Sequence, residues 1–164
     1  MSDGRFDGQV AVVTGGAQGI GLAISHLLAE RGATVCILDL DEGLAGKTAK
    51  ALGEVGPEGR AYFGDVTDEA SLIAARDRIL SDFGHVEVLV NNAGVYPHAT
   101  IRELTVETWN TMFDVNAKGV LLTTRTFMDP MIEKKYGRIV SMVTNDAYIA
   151  NSTTPAYAAS KAAV

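Results

Sequence analysis

Short apolar runs alternate with longer amphipathic stretches along most of the chain, and this alternation constrains the fold more than any other feature. Continuous apolar runs are typical of parallel strands buried on both faces, whereas the stretches between them repeat their apolar residues at helical spacing. This order predicts a doubly wound α/β fold, with helices on both faces of one parallel sheet and three α/β/α layers. The predicted strands are residues 10–13, 34–38, 60–63, 86–90 and 138–143.

The helices follow the strands in turn. They are predicted at residues 20–31, 42–52, 68–82 and 106–128, and from Pro155 onward. We expect Asp68 to cap the third helix, Pro130 to stop the long fourth one, and Pro155 to occupy the first turn of the last. A polar loop over residues 144–154 precedes that last helix. Because no repeat, low-complexity tract or linker interrupts the pattern, residues 1–164 are predicted to form a single domain.

Composition excludes several classes of protein. The chain has 164 residues, 47% of them hydrophobic, and a formal net charge of −6, which disfavours a nucleic-acid partner. No apolar run approaches the roughly 18 residues that a membrane helix needs, and charged residues near Met1 replace the apolar stretch of a signal peptide. The single cysteine, Cys36, lies in an apolar run. It is predicted to be buried and inert, in a reducing, cytoplasmic compartment.

A glycine-rich turn separates the first strand from the first helix, and it reads Thr-Gly-Gly-Ala-Gln-Gly-Ile-Gly over residues 14–21. A turn without side chains lets the backbone approach a pyrophosphate, and the helix N-terminus adds free N–H groups and a positive dipole end. Glycine spacing alone is a weak signal, and a plain helix-start turn is the alternative. The strand before it and the helix after it favour dinucleotide binding.

An acidic residue, Asp39, lies 18 residues after Gly21, at the end of the second strand. A carboxylate there can bond the adenosine ribose, whereas the simpler interpretation is a turn aspartate. A carboxylate about 4 Å from a 2′-phosphate opposes it by roughly 4 kcal/mol per unit charge at a surface-like dielectric. Neither residues 16–18 nor residues 40–41 contain an Arg or Lys to offset that repulsion. NAD is therefore favoured over NADP.

Further motifs follow in a fixed order, namely Asp65-Val66, Asn91-Asn92-Ala93-Gly94, Asn116 and Tyr157-Ala-Ala-Ser-Lys161. Tyr157 and Lys161, four residues apart, share one helix face. Together with the glycine turn, this order closely resembles the short-chain dehydrogenase/reductase family over residues 9–164. The resemblance implies a Rossmann fold of seven strands, of which five are visible here.

The resemblance also implies a cofactor site. The residues it assigns to NAD are Gly15, Gly19 and Gly21 with the Ile20 backbone at the pyrophosphate, Asp39 at the adenosine ribose, Asp65 and Val66 at the adenine, Asn91 near the cofactor, and Tyr157 and Lys161 at the nicotinamide end. No cluster of Cys and His with metal-ligand spacing exists in the sequence, and the chemistry needs no metal because NAD carries the redox step.

Four residues match the family's catalytic positions. Tyr157 corresponds to the general acid/base, Lys161 to its partner, and Asn116 to the asparagine thought to hold a water in a proton relay. A free tyrosine titrates near pH 10, and we expect the Lys161 ammonium to lower that value. The family places a serine thirteen positions before the tyrosine, where this chain has Thr144. We expect Thr144, and not Ser141, to orient the carbonyl oxygen.

Several residues stay unassigned. His98, Tyr96 and Tyr148 are weak candidates for the substrate mouth, and they hint at an aromatic or bulky substrate. The apolar face with Trp109 and Leu121 is predicted to belong to the core or to a subunit contact. In the family, the long helix and the Tyr/Lys helix commonly pair between subunits, which implies a homodimer or homotetramer.

Three functions compete. The first is an NAD-dependent dehydrogenase that interconverts a secondary alcohol and a ketone. The second is an inactive nucleotide-binding fragment or remnant, because family members extend well beyond the lysine of this motif. The third, disfavoured by Asp39, is an NADP-dependent carbonyl reductase. Family members are longer than the 164 residues of this chain. We therefore expect the chain to be truncated, to lack most of the substrate pocket and to be poorly active alone.

Overall fold

The computed structural model describes residues 5–149 and 152–164, which form a five-stranded parallel sheet with helices on both faces. The doubly wound α/β prediction is confirmed. The strand order is β3-β2-β1-β4-β5. The strands are β1 (Val10–Thr14), β2 (Thr34–Asp39), β3 (Arg60–Phe63), β4 (Val88–Asn91) and β5 (Arg138–Ser141).

Two helical layers enclose the sheet, as predicted. Side chains of β1 alternate between them: Val10 and Val12 pack in the cluster that contains Phe127, and Ala11 and Val13 pack in the cluster on the opposite face. The helices are α1 (Gly19–Glu30), α2 (Glu42–Leu52), α3 (Glu69–Phe83), α4 (Val106–Phe113), α5 (Gly119–Glu133) and α6 (Pro155–Ala162). Residues of α1 and α2 contribute to one cluster and residues of α3 and α5 to the other, so β1, β2 and β4 are buried on both sides, whereas Ile139 and Val140 of the edge strand β5 are exposed.

The order of the strands reverses between β1 and β4. From β1 the chain builds outward through β2 to β3, then returns to place β4 on the other side of β1, with β5 beyond it. The chain leaves the carboxyl ends of β1 and β4 in opposite directions, which opens a crevice between them. Open α/β sheets bind ligands in the crevice at such a point. The fold therefore predicts a ligand site at the carboxyl ends of β1 and β4.

The long fourth helix differs from the prediction. It is interrupted by a π-helical segment at Asp114–Lys118, where the Gly119 N–H bonds to the carbonyl five residues back. The prediction that Pro130 stops this helix was wrong, since α5 continues through it to Glu133. Pro130 lacks an N–H but keeps a carbonyl that accepts the Lys134 N–H. Met131, only 5% exposed, packs in the core and favours continuation of the helix.

The last strand is shorter than predicted. β5 ends at Ser141, not at residue 143. The Met142 N–H still reaches the Asn91 carbonyl, but the Met142 carbonyl accepts a hydrogen bond from the Lys161 ammonium. A side chain of α6 thus takes the place of a further strand contact.

Cys36 is fully buried, as predicted, and burial raises the pKa of its thiol to about 12. Within residues 5–149 and 152–164, no helix is long and apolar enough to cross a membrane.

Candidate active site

Glycines form the turn between β1 and α1 for two different reasons. Gly15 and Gly19 have φ of +61° and +57°, in the left-handed region that L side chains rarely adopt. Gly21 is required by space: a Cβ there would lie 2.1 Å from the Gly15 carbonyl oxygen and 2.5 Å from Nδ2 of Asn92. The turn therefore presents bare backbone, as a pyrophosphate would need.

The turn borders a cleft of about 420 Å³ at the carboxyl ends of β1, β2 and β4. Gln18, at the N-cap of α1, makes no side-chain hydrogen bond to the helix, so the first turn of α1 is not capped from within. Such an end can accept an anion through its N–H groups. Six residues predicted to bind the cofactor line this cleft: Gly15, Ile20, Gly21, Asp39, Asp65 and Val66.

Asp39 lies at the end of β2 and is held by backbone. Its carboxylate accepts hydrogen bonds from the Ala17 N–H at 3.3 Å and from the Asp41 N–H at 3.2 Å. These contacts tie Asp39 to the glycine-rich turn and fix its charge at the edge of the cleft. Asp39 thus presents a held carboxylate to the cleft, and its contact with the adenosine ribose stays a prediction.

Asp65 and Val66 form the neighbouring wall. The Asp65 carboxylate accepts hydrogen bonds from the Thr67 N–H at 2.8 Å and the Thr67 hydroxyl at 2.7 Å. Val66 lines the cleft and also packs against the core. These local bonds shape the loop after β3 into one side of the cleft.

Two adjacent asparagines at the end of β4 make different contacts. The Asn91 side chain is buried and donates to the hydroxyls of Thr124 at 3.0 Å and Ser141 at 3.2 Å, which joins β4 to β5 and α5. Asn92 lines the cleft, and its Nδ2 donates to the carbonyls of Thr14 and Gly15. The side chain of Asn91 is thus committed to the sheet. It is Asn92 that holds the glycine-rich turn.

Asn116 is fully buried in the π-helical segment. Its Oδ1 accepts the Val95 N–H at 2.9 Å, and its Nδ2 donates to the Val95 carbonyl at 3.0 Å and to the Ser160 hydroxyl at 3.0 Å. Ser160 in turn donates to the Tyr157 carbonyl at 2.8 Å. Asn116 therefore connects the loop after β4 to α6, and π segments of this kind are frequent at functional sites.

Tyr157 and Lys161 both lie on α6, one turn apart, as predicted. Lys161 is 5% exposed, and its ammonium donates to the Met142 carbonyl at 2.8 Å. A Cβ built on cleft-lining Gly94 would be 3.6 Å from Nζ of Lys161, which places the ammonium at the cleft border. Burial lowers the pKa of Lys161.

The pKa of Tyr157 departs from expectation. The sequence predicts that Lys161 lowers it, but burial raises the pKa of Tyr157, and the nearby Tyr96 and Asp146 raise it further. The Lys161 ammonium is directed to a backbone carbonyl, and desolvation of the phenolate outweighs any attraction between the two.

Thr144 precedes a short 3₁₀ turn at Asn145–Ala147. Its hydroxyl accepts the Asp146 N–H at 3.2 Å and lies 3.5 Å from Oδ1 of Asn145. The competing hydroxyl, Ser141, is engaged by Asn91 inside the sheet. Of the two, only Thr144 is on the loop that leads to α6, and its role as the orienting hydroxyl stays a prediction.

Sequence reasoning missed three residues that organise the site. Thr14, Asn92 and Ser160 supply the hydrogen bonds that join the turn, the β4 loop and α6; the Thr14 hydroxyl, for example, accepts the N–H groups of Asn92 and Ala93. Each lies inside or beside a motif that was recognised. Their small polar side chains were the available signal. In the described ranges no group of three or more His, Cys, Asp or Glu could hold a metal ion.

The chain is similar to several known proteins. A sequence model of a family described as short chain dehydrogenase matches residues 9–164. D-threitol dehydrogenase of Mycolicibacterium smegmatis is 39% identical over 160 residues, which are 97% of this chain and 61% of that protein. Cis-4-hydroxycyclohexanecarboxylate dehydrogenase of Sinomonas cyclohexanicum is 40% identical over 160 residues, 97% of this chain and 64% of that protein.

Among solved structures, NAD⁺-bound xylitol dehydrogenase matches with a TM-score of 0.93 at 32% identity, over 97% of this chain and 62% of that one. The chain thus spans 61% and 64% of the length of the two curated relatives.

Proposed function

The chain belongs to the short chain dehydrogenase family, and we propose that the protein is an oxidoreductase. In this proposal it uses NAD to interconvert a secondary alcohol and a ketone. One observation carries the proposal: Tyr157 and Lys161 share a face of α6, and the Lys161 ammonium lies at the border of a cleft built for a dinucleotide. A proton donor and a cation beside such a cleft suit hydride transfer to a carbonyl, which builds negative charge on oxygen.

The residues divide the work. NAD, when bound, supplies a hydride acceptor, and the chain's residues handle the proton. Tyr157 takes the hydroxyl proton of the alcohol during oxidation and returns it during reduction. Lys161 offers its ammonium to the nicotinamide ribose hydroxyls, and Thr144 orients the reacting oxygen by a hydrogen bond. Asn116 holds the β4 loop against α6 through its hydrogen bonds to Val95 and Ser160.

Asp39 supports NAD as the cofactor over NADP. Its carboxylate is pinned by the Ala17 and Asp41 N–H groups, so it cannot easily turn away from an added 2′-phosphate. The repulsion of roughly 4 kcal/mol per unit charge at about 4 Å corresponds to a large loss of NADPH affinity. The NAD⁺-bound xylitol dehydrogenase structure supports the same choice.

The relatives support a proposal for the substrate class. Their names specify a polyol, D-threitol, and a hydroxylated ring, cis-4-hydroxycyclohexanecarboxylate. We therefore place this protein's substrate among small polyols and cyclic secondary alcohols. We also propose that it forms homo-oligomers through α4 and α5, because Leu121 is 61% exposed and Trp109 stacks on Phe113 at the surface. A light-scattering mass of more than one chain would support that assembly.

The decisive experiment replaces the acid/base. Purified protein is assayed for NAD reduction with D-threitol, xylitol, galactitol and cyclopentanol, and NADH and NADPH binding is followed by fluorescence. Tyr157→Phe is expected to lower turnover by at least about 100-fold while NADH binding stays unchanged, because general acid–base catalysis contributes on that scale. NADPH should bind more weakly than NADH.

The matched control is Tyr136→Phe, which removes a hydroxyl of the same kind from a residue stacked on Arg138 away from the cleft. It should leave both turnover and binding at wild-type values. Full turnover by Tyr157→Phe, or no NADH binding by the wild-type protein, would contradict the proposed function.

A further inference from the structure

Tyr96, in the loop after β4, packs directly against Tyr157. The two ring centroids are 4.4 Å apart and the ring planes are inclined by 82°. This edge-to-face arrangement is one that aromatic pairs prefer over a face-to-face sandwich. Tyr96 also meets His98 in a similar geometry, with centroids 4.6 Å apart. Tyr96 therefore contacts both His98 and the predicted general acid/base.

The loop that carries Tyr96 is itself held by the site. Val95, the preceding residue, exchanges two hydrogen bonds with the Asn116 side chain. Asn116 also donates to Ser160, which donates to the Tyr157 carbonyl. These contacts form a closed loop of neighbours. Hydrogen bonds join Asn116 to Val95 and, through Ser160, to the backbone of Tyr157, and the Tyr96 side chain packs on that of Tyr157.

We propose that Tyr96 is a positioning residue that holds the phenol ring of Tyr157 at the edge of the cofactor cleft. The hydrogen bonds of α6 fix the backbone of Tyr157 but leave its two side-chain torsions free. The Tyr96 ring is the described aromatic contact that restrains them. Because Tyr96 is 46% exposed, replacing it removes little from the buried core, so positioning can be separated from folding.

Charge supports the same assignment. The titratable groups around Tyr157 are Tyr96 and His98 from the β4 loop, Asp146 from the 3₁₀ turn, and Lys161 from its own helix. After burial, which is the largest cause, the charge of Tyr96 is the next to raise the pKa of Tyr157. Removing the Tyr96 ring takes away this influence and part of the burial of the Tyr157 phenol, so Tyr96→Leu should lower the pKa of Tyr157.

The test uses the substitutions Tyr96→Phe and Tyr96→Leu, with Tyr136→Phe as the control. It rests on the proposed function, so kcat and KM are measured with whichever alcohol of the panel is oxidised best. We expect Tyr96→Leu to lower kcat about fivefold without changing NADH affinity, since an aromatic pair contributes on that order. Tyr96→Phe keeps the ring and should retain kcat within about twofold.

A second readout does not depend on turnover. The phenolate absorbance of each protein is titrated with and without an added Tyr157→Phe substitution, and the difference reports the pKa of Tyr157. Tyr96→Leu should lower that pKa, because it removes the ring that covers Tyr157, and Tyr136→Phe should leave it unchanged. This measurement still decides the matter if none of the alcohols is oxidised, or if Tyr157→Phe retains activity and the proposed function fails.

The proposal would be overturned by a Tyr157 pKa that is the same in wild-type protein and in Tyr96→Leu, because loss of the ring contact must change the burial that raises this pKa. It would equally be overturned by wild-type kcat in Tyr96→Leu, because a positioning residue cannot be removed without effect. A fall in kcat that Tyr96→Phe shares equally with Tyr96→Leu would assign the effect to the hydroxyl and contradict a role for the ring.

Discussion

Replacing Gly21 by alanine tests the cofactor cleft at its tightest point. The added Cβ would lie 2.1 Å from the Gly15 carbonyl oxygen, 2.5 Å from Nδ2 of Asn92 and 2.9 Å from the Gly15 carbonyl carbon. Real Cβ atoms do not approach closer than 3.0 Å, so the Gly15 backbone must move by roughly an ångström. Gly15 has φ of +61° and bonds through its N–H to Leu38, so it cannot move alone.

The expected magnitude follows from that contact. Overpacking costs about 1–3 kcal/mol, and a clash with backbone belongs at the upper end because no flexible side chain can yield. If the turn shifts, NADH affinity should fall about 100-fold, the equivalent of about 3 kcal/mol. If the turn holds, the free energy of unfolding should fall by a similar amount. Fluorescence titration with NADH and denaturant unfolding together capture both outcomes.

Gly46→Ala is the matched control. Gly46 lies in α2 with nothing within 4 Å of the position a Cβ would take. Alanine there should leave NADH binding unchanged and stabilise the helix by up to about 1 kcal/mol. If Gly21→Ala matched wild-type protein in both affinity and stability to within about 0.5 kcal/mol, the packing argument would be refuted.

Two further predictions concern pH. Asp146→Asn removes a carboxylate that raises the pKa of Tyr157. Because oxidation needs the phenolate, the acidic limb of its pH–rate profile should move to lower pH; an unmoved limb would contradict this. Glu87→Gln should lower the free energy of unfolding by about 2 kcal/mol near neutral pH, since Glu87 accepts bonds from Lys134, His85 and the Val10 N–H.

The pH dependence of Glu87 has a definite sign. Burial raises the pKa of Glu87, but the hydrogen bonds from Lys134, Val10 and His85 outweigh burial and hold it below its usual value. The stabilisation is therefore present above the pKa of unfolded glutamate and is lost as the pH falls through the lower, folded value. In Glu87→Gln the difference from wild type should shrink at acidic pH. An unchanged difference would show that the carboxylate charge is irrelevant.

Part of the site could be predicted because its signals are local. The glycine-rich turn at residues 14–21 sits between a strand and a helix, and Tyr157 and Lys161 are one turn apart. Both patterns depend on neighbours in sequence. The stop at Pro130 was local reasoning too, and it failed because core packing of Met131 outweighs one missing hydrogen bond.

Other features depend on groups far apart in the chain. Asn91 and Asn92 are adjacent and identical, yet the Asn91 side chain bonds to α5 and β5 and the Asn92 side chain bonds to the glycine-rich turn, all of them segments distant in sequence. The shift of the Tyr157 pKa is also nonlocal, because burial and the charges of Tyr96 and Asp146 determine its sign.

Local sequence patterns predict the alternation of strands and helices, the glycine-rich turn, the acidic residue at the end of β2 and the Tyr/Lys pair. Each is set by short-range periodicity and backbone sterics. Long-range packing sets the strand order β3-β2-β1-β4-β5, the partners of Asn116 and the contact between Tyr96 and Tyr157. Desolvation and through-space contact act between residues that no sequence period brings together.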